Sequence, residues 1–430
     1  MNSFSYRQAL SFLVVGAIAA CATEGAQPDG EASGDNLLAN YTTPDPNNPW
    51  TRGVDLSKLE IGEETILPNE TAMFDGFADD IGGLQKRLVS VNGAPVRGFH
   101  AKAHACVGGQ LKVDVPASLG SRAKVGIFAE NRTYSVWLRY SNGTGFVQSD
   151  KKSDARGLAI KLVKVPGKKL LPGAEDALTQ DFLMTNGATT PASNVAEFVE
   201  FAKMMADSRM TTDGQEVGAL EGLVSAGSWL LKPEHKRVRE FLLSKTIPRS
   251  LTHGSMLGEQ FWTGGAFAMG VESGDPMHAR ATGAAKMTAI AGLFQNGRCV
   301  PVSQLPKPSD DNYFRNDLRE RMKTSETCID LRVQLQADAA KQPIEDTSVE
   351  WREDDAPFTS IGIVRIPRID LDDAASEASE SFCNALTFSP WHTLPEHRPL
   401  GNIMRARLPV YVKSATTRGG APEPTGDEKP

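Results

Sequence analysis

The sequence lacks an excess of positive charge and, after residue 20, any long apolar run. Its 430 residues carry 46 Lys and Arg against 53 Asp and Glu, a formal net charge of -7. Because nucleic-acid-binding proteins usually present a basic face, this balance argues against a nucleic-acid partner. No internal stretch reaches the roughly 18 consecutive apolar residues of a membrane-spanning helix. The apolar (40%) and charged (23%) contents are ordinary for a globular protein.

Cysteine is also scarce, with five residues in the chain. Cys21 lies apart from the others, which are Cys106, Cys299, Cys328 and Cys383. The spacing of these four does not resemble a zinc site. They can form two disulfides, whose pairing the sequence leaves open. The alternative is four buried free thiols, since a chain of this size does not need disulfides to stabilise its core.

The first 21 residues resemble a bacterial lipoprotein signal. Arg7 precedes a short apolar run, residues 9–20, and the run ends in Ile-Ala-Ala before Cys21. A basic start, an apolar middle and small residues before the cut are typical of secretory signals. We expect Cys21 to be lipidated, which would anchor the protein on the periplasmic side of a bacterial membrane. The alternative is an ordinary signal peptide in which the cysteine occurs by chance.

Composition divides the rest of the chain into three parts. Residues 22–50 are rich in Gly, Pro, Asp, Asn and Thr and predict a flexible tether. Residues 419–430 have a similar composition and predict a disordered tail. Residues 51–418 contain the periodic patterns of a folded domain, whose length allows one large core.

The order of these patterns predicts an α+β fold. Strand-like runs occur at 110–115, 134–140, 158–163 and 359–366, and helical periodicity at 194–246 and 404–417. Strands followed by helices, then strands and a final helix, are typical of α+β domains. Pro409 cannot donate a helical hydrogen bond, so we expect the last helix to begin close to it.

Several short segments occur in a fixed order that resembles the catalase superfamily, over roughly residues 60–418. They are residues 97–103 (Arg-Gly-Phe-His-Ala-Lys-Ala), 137–142, 153–161, 180–186, 198–201, 388–395 and 407–411, with Arg418 seven residues after Tyr411. The similarity is to the short, catalase-related branch, which contains small peroxidases and allene oxide synthases. It implies a catalase-type antiparallel β-barrel with surrounding helices, and a haem buried between the barrel and the C-terminal helix.

The resemblance also implies the iron ligand. Tyr411 would bind the iron of a b-type haem, because a tyrosine phenolate supplies an anionic oxygen. A phenol ionises only near pH 10 in water. Arg407 lies one helical turn earlier, and its positive charge would favour the phenolate. At this spacing alone, the alternative is an exposed surface Arg–Tyr pair.

Other residues match the family's peroxide side and its haem contacts. His100 would move a proton between the two peroxide oxygens, as a neutral histidine can. Asn186 would orient the bound peroxide, Ser141 would hold the imidazole, and Phe198 would lie over the haem. The structural alternatives are a strand histidine for His100 and turn residues for Ser141 and Asn186. The haem propionates would be bound by Arg97, Arg139 and Arg418.

One segment departs from the family. After Asn186 the chain runs Gly-Ala-Thr-Thr-Pro-Ala, where catalases and their short relatives usually continue with proline and paired phenylalanines. The aromatic lining of the pocket is thereby reduced. The resemblance implies a haem hydroperoxidase for hydrogen peroxide or organic hydroperoxides, which can form homo-oligomers. The alternatives are an enzyme that rearranges fatty-acid hydroperoxides and a non-enzymatic haem-binding lipoprotein.

Overall fold

The computed structural model describes residues 41–152, 154–243, 254–304 and 310–428. The predicted signal, Cys21 and the first part of the tether lie outside these residues. Residues 41–50, which we expected in the tether, pack against the domain. Trp50 is fully buried, and its Nε1 donates to Glu70 at 3.0 Å. The folded domain therefore includes the chain from Tyr41 onward.

Eight antiparallel strands close into a barrel. They are β1 (Ala103–Val113), β2 (Thr133–Asn142), β3 (Arg156–Val163), β4 (Thr179–Thr185), β5 (Gln260–Thr263), β7 (Ala284–Gln295), β9 (Thr327–Leu335) and β10 (Thr359–Ile366). Around the barrel the order is β7-β5-β4-β3-β2-β1-β10-β9, and β9 pairs with β7 to close it. The short strands β6 (Ala266–Ala268) and β8 (Arg298–Val300) pair with β7, and β11 (Pro399–Leu400) pairs with β6.

Alternation along the strands fills the barrel and positions polar residues outside it. In β2, Val136, Leu138 and Tyr140 belong to the large apolar core. Because successive side chains of a strand point to opposite faces, Arg139 and Ser141 lie on the outer face of the barrel. The candidate site is built on this outer face.

Seven helices of the described residues surround the barrel. They are α1 (Glu70–Asn92), α2 (Val195–Asp207), α3 (Ala219–Leu230), α4 (Lys236–Phe241), α5 (Tyr313–Thr324), α6 (Ala374–Ala385) and α7 (Asn402–Arg418). Helix α1 packs along α7, where Gln85 donates to the carbonyl of Ser414 at 3.2 Å. In the described part of the chain, none of the helices combines the length and apolarity needed to cross a bilayer.

The predicted α+β barrel with surrounding helices is confirmed. The runs at 134–140, 158–163 and 359–366 form β2, β3 and β10. The expected start of the last helix was wrong, since α7 begins at Asn402 and passes through Pro409. Its first turn is fixed by tertiary contacts, because the N–H of Asn402 donates to Glu345 at 2.7 Å. Such contacts offset the hydrogen bond that the proline removes.

Both disulfides that the cysteine count allows are formed. Cys106–Cys383 joins β1 to α6, and Cys299–Cys328 joins β8 to β9. The first bridge links residues 277 positions apart, so it fixes α6 against the barrel.

The segment after α7, which we expected to be disordered, is described as far as Glu428. Glu423 accepts hydrogen bonds from Lys161 at 2.7 Å and from Thr179 at 2.6 Å. Lys161 is fully buried and also pairs with Asp181 at 2.9 Å. Because a buried cation needs counter-charges, Glu423 holds this segment against β3 and β4.

Candidate functional site

His100 lies in the loop before β1 in a left-handed backbone conformation, with φ of 58°. Its N–H donates to the carbonyl of Gly143 at 2.9 Å, and Arg139 donates to its carbonyl at 2.8 Å. A left-handed conformation is costly for a residue with a side chain, so these contacts are what hold it. Strained backbone of this kind clusters at functional sites.

The imidazole of His100 has one nitrogen fixed by the protein. Its Nδ1 lies 2.5 Å from the carbonyl oxygen of Asn142 and 3.2 Å from Oγ of Ser141. Because a carbonyl only accepts, Nδ1 carries the hydrogen and Nε2 keeps its lone pair. Burial, followed by the charge of Arg139, lowers the pKa of His100 to about 4. The ring is therefore neutral near pH 7 and available as a base through Nε2.

Gly157 makes room for this ring. It lies in β3 opposite Ser141 of β2. A Cβ at this position would come within 2.3 Å of Nδ1 of His100. Since real Cβ atoms do not approach so closely, any larger residue would displace the imidazole. No role was predicted for Gly157 beyond its place in the matched segment.

A buried carboxyl group organises the loop that holds His100. Asp154 accepts hydrogen bonds from Asn142 at 2.9 Å, Thr144 at 3.1 Å and Gln148 at 3.0 Å. Burial raises the pKa of Asp154 in spite of the nearby positive charge of Arg156. Because the carbonyl of Asn142 contacts the imidazole, Asp154 is a positioning residue for His100. Its place within the polar loop of the matched segment was the only sequence signal.

Three arginines meet at the C-terminal end of α6. Oδ1 of Asn384 accepts from Arg139 at 2.8 Å and from Arg97 at 3.4 Å. The carbonyl of Leu386 accepts from Arg97 at 2.7 Å and from Arg418 at 3.2 Å. The last carbonyls of a helix lack helical partners and carry partial negative charge, so they attract cations. No sequence signal pointed to Asn384.

We define Arg97, Arg139 and Arg418 as the arginine cluster, whose hydrogen-bond partners in the described chain are all neutral. Over the described ranges, no Asp or Glu side chain forms an ion pair with any of the three. Burial, then the charges of the other two arginines, lowers the pKa of Arg97 well below its usual value. Burial, then Arg418, lowers the pKa of Arg139 to about 9. Three adjacent cations without an anion are chemically suited to an acidic ligand.

Arg407 and Tyr411 lie one turn apart on α7, as their spacing predicted. Nη2 of Arg407 donates to the phenolic oxygen of Tyr411 at 2.6 Å. Both side chains are half-buried, so the pair is not the exposed surface pair of the alternative interpretation. The guanidinium is therefore placed to stabilise negative charge on the phenolic oxygen.

Aromatic contacts join α2 and α7 beside His100. The ring of Phe198, in the first turn of α2, lies 5.7 Å from the ring of Phe99. Phe99 precedes His100 and packs in a cluster with Val410, the neighbour of Tyr411. The structure thus brings Phe198 and the α7 segment of Tyr411 to the same apolar wall as the loop of His100.

Asn186 lies at the same edge of the barrel, directly after β4, but its amide is engaged by the protein. Its Oδ1 accepts from the backbone N–H of Arg156 at 2.8 Å. Its Nδ2 donates to Glu259 at 3.2 Å. One amide hydrogen is left for a ligand, which makes Asn186 the least available of the predicted polar site residues.

The remaining candidate features lie elsewhere. Among residues that the structure describes, no group of three or more His, Cys, Asp or Glu could hold a metal ion. His392 lies 2.9 Å from Asp181, and His397 accepts the N–H of Ile127 at 3.2 Å, so both have structural partners.

A surface cavity of about 560 Å³ contains none of the predicted site residues. It is lined by Asn312, Arg315, Asn316, Arg319, Glu320, Lys323 and Asp372.

Comparison with known proteins gives similarity in fold without similarity in sequence. No protein-family model and no curated protein matches the chain. A fungal catalase is 16% identical, with a TM-score of 0.54 over 92% of this chain and 71% of that one. A bacterial catalase is 13% identical, with a TM-score of 0.53 over 92% and 67%. At these identities the likeness establishes architecture alone: the chain has the catalase fold, a closed antiparallel barrel surrounded by helices.

Proposed function

We propose that this chain binds haem and acts on peroxides. The observation that carries the proposal is the arginine cluster, in which Arg139 is buried, Arg97 and Arg418 are half-buried, and all three cations face only neutral groups. A b-type haem carries two propionates, and carboxylates are the ligands that guanidinium groups bind best. Arg139 also contacts the carbonyl of His100, so the bound anion would lie beside the predicted base. These residues fit the group chemically.

Tyr411 and the aromatic wall would complete the haem site. A phenolic oxygen next to Arg407 suits a ferric iron, for which tyrosinate is a known ligand. Phe99 and Phe198 would supply apolar contacts to the macrocycle. When bound, haem would supply the redox chemistry that divides the peroxide bond.

The chain's own contribution would be the proton. Nε2 of His100 would accept a proton from one peroxide oxygen and deliver it to the other. Ser141 and the carbonyl of Asn142 would keep the ring in the required tautomer. Since burial keeps the imidazole neutral, no deprotonation of His100 is required at neutral pH.

Two substrate classes follow from the surroundings of Asn186. Hydrogen peroxide, the first candidate, would accept a hydrogen bond from the remaining amide hydrogen of Asn186. Organic hydroperoxides are the second candidate substrate class, because the Asn186 amide already donates to Glu259 and the segment after Asn186 lacks phenylalanine. A variant of this candidate is an enzyme that rearranges organic hydroperoxides. We further propose that the enzyme works outside the cytoplasm, anchored by lipid on Cys21.

The proposed role of the arginine cluster predicts a preference for free propionates. The purified full chain is titrated with hemin and with hemin dimethyl ester, and binding is followed by absorption. Charge-assisted hydrogen bonds contribute about 1.5–3 kcal/mol, so the ester should bind at least about tenfold more weakly. Arg139→Gln should reduce that preference. Equal affinities for hemin and its ester would contradict the proposal.

The proposed role of His100 is tested by turnover per bound haem. His100→Ala should keep haem while losing about 10²- to 10⁴-fold in turnover, the usual contribution of a general acid–base group. His278→Ala is the matched control, because His278 is exposed and pairs with Asp275. Turnover per bound haem within a few-fold of the wild-type value would exclude His100 as the acid–base group.

A further inference from the structure

Helix α3 is apolar on two faces, of which one has a partner. Its inner face packs on α2 and α4; the cluster contains Ala226, Trp229, Leu230, Phe201, Met204, Met205 and Val238. On its outer face, Leu220, Val224 and Leu231 are 67%, 63% and 48% exposed. Since each helical residue turns by about 100°, these three fall within about 40° of one another. A helix that is apolar on both faces requires a second apolar partner.

The end of this apolar stripe is basic. Lys232 and Lys236 follow Leu231 and are both exposed; Glu234 is exposed between them, and Nζ of Lys236 lies 3.8 Å from a carboxylate oxygen of Glu240. Residues 231–241 contain four basic and two acidic side chains, in a chain whose net charge is -7. Apolar side chains bordered by lysines are typical of helices that lie in the interface of an anionic membrane. The charge is therefore complementary to acidic lipid headgroups.

The described chain begins next to this surface. The guanidinium of Arg237, on α4, lies 4.3 Å from the ring of Tyr41 and donates to the carbonyl of Thr43 at 2.9 Å. Cys21 precedes Tyr41 by 20 residues. Because extended chain spans at most about 3.6 Å per residue, a lipid on Cys21 would lie within about 70 Å of α4. The chain from the predicted anchor therefore joins the domain beside α4, which allows the α3–α4 side to face the bilayer.

We propose that Leu220, Val224, Leu231, Lys232 and Lys236 form a docking surface for a lipid bilayer that contains anionic headgroups. The three apolar side chains enter the boundary between headgroups and acyl chains, and the two lysines contact lipid phosphates. The surface lies outside the candidate site. It is linked to that site through α2, on which α3 packs.

Lipid quenching of a single added tryptophan tests this proposal. Leu220→Trp places the reporter on the docking surface of the full chain, and Val300→Trp places it on β8, where Val300 is 41% exposed. Each protein is mixed with vesicles of phosphatidylethanolamine and phosphatidylglycerol whose acyl chains are brominated. We expect extra quenching for Leu220→Trp and none for Val300→Trp. Adding Lys232→Gln and Lys236→Gln should weaken docking by up to about 25-fold, about fivefold for each lysine, and so reduce the extra quenching.

Three outcomes would overturn the proposal. Equal quenching of the two reporters would mean that the protein is anchored without orientation. Burial of the Leu220→Trp reporter without lipid, increasing with protein concentration together with the sedimentation coefficient, would assign the surface to a second copy. Burial of the same reporter in a monomer at every concentration would mean that the chain covers the surface itself.

Discussion

Charged clusters that contain arginine lie at the two ends of α7, and they differ in their counter-charges. At the start of the helix, Arg405 donates to carboxylates at 2.6–2.8 Å. Its carboxylate partners are Glu64, Glu70 and Glu345. At the end of the helix, Arg418 joins Arg97 and Arg139, and these three contact carbonyl and amide oxygens.

The difference separates a structural role from a binding role. Although burial opposes its charge, Glu345 and Glu70 raise the pKa of Arg405 above its usual value. Burial and Arg418 instead lower the pKa of Arg139 to about 9. A cluster with its own anions is complete within the fold. A cluster without them carries a desolvation cost that an acidic ligand would reduce.

Arg405→Gln should cause the largest loss of stability. The substitution leaves Glu70 and Glu345 without their cation, while Glu64 keeps its pair with Arg398 at 2.8 Å; breaking a buried pair in this way typically costs about 3–5 kcal/mol. Arg139→Gln is the matched control, because it removes a buried cation that has no anion; it should cost less than about 1.5 kcal/mol. Urea unfolding of the apo-protein measures both. Equal losses would show that the two clusters do not differ as described.

Removing the Cys106–Cys383 bridge should weaken both stability and haem binding. This bridge fixes the end of α6, where Asn384 and the carbonyl of Leu386 hold the arginine cluster. We expect the double Cys→Ala variant to lose about 2–4 kcal/mol of unfolding free energy. Its hemin affinity, measured on folded protein, should fall as well.

The second bridge provides the control for this comparison. The double Cys→Ala variant of Cys299 and Cys328 removes a disulfide between β8 and β9, which carry none of the site residues. It should lose stability and keep the wild-type affinity for hemin. If both double variants change hemin affinity equally, α6 has no special role in positioning the arginines.

Gly157→Ala should reduce turnover and leave haem bound. The added Cβ would lie 2.3 Å from Nδ1 of His100, so the imidazole must move. A misplaced base should lower turnover per haem by at least about tenfold. Gly76→Ala is the control, because a Cβ there meets nothing within 4 Å. Similar turnover in both variants would show that His100 tolerates the displacement.

The smallest expected effect is on the pH profile. The pKa of His100 is lowered to about 4, first by burial and then by Arg139, so the base stays neutral as pH falls from 8 to 5. Turnover per bound haem should therefore be flat over that range and decline only below it. Bound propionates would offset part of the effect of Arg139 on the pKa of His100. Burial would still keep this pKa, and with it the pH at which turnover declines, below the ordinary histidine value near 6.5. Loss of half of the turnover per bound haem at pH 6.5, with haem still bound, would contradict this account.

The sequence was sufficient for the elements whose pattern is local. Alternation predicted β2, and a short β-branched run between turn signals predicted β3. The spacing of Arg407 and Tyr411 predicted their contact across one helical turn. Helix α1 was not predicted, although Phe74, Ala78 and Ile81 are buried along one face of it. Its role depends on packing against α7, a contact between residues more than 300 positions apart.

The features that were missed depend on distant contacts or on atoms that a sequence does not display. Asn384 binds Arg139 because α6 lies against β1 and β2, where the Cys106–Cys383 bridge and the contact between Trp137 and Phe382 hold it. The need for glycine at Gly157 appears only once the His100 ring is placed against β3. The start of α7 was misjudged at Pro409 because local propensity does not include the contact of Asn402 with Glu345.

The most direct test of the central claim is hemin titration of the full chain and of Tyr411→Phe. If the arginine cluster binds the propionates and Tyr411 binds the iron, the wild type should take up one haem per chain with a Soret band. Tyr411→Phe should then change that band and weaken binding by at least about tenfold, whereas Tyr134→Phe, within the barrel core, should do neither. No haem uptake by the wild type, or the same spectrum and affinity in Tyr411→Phe, would contradict the claim.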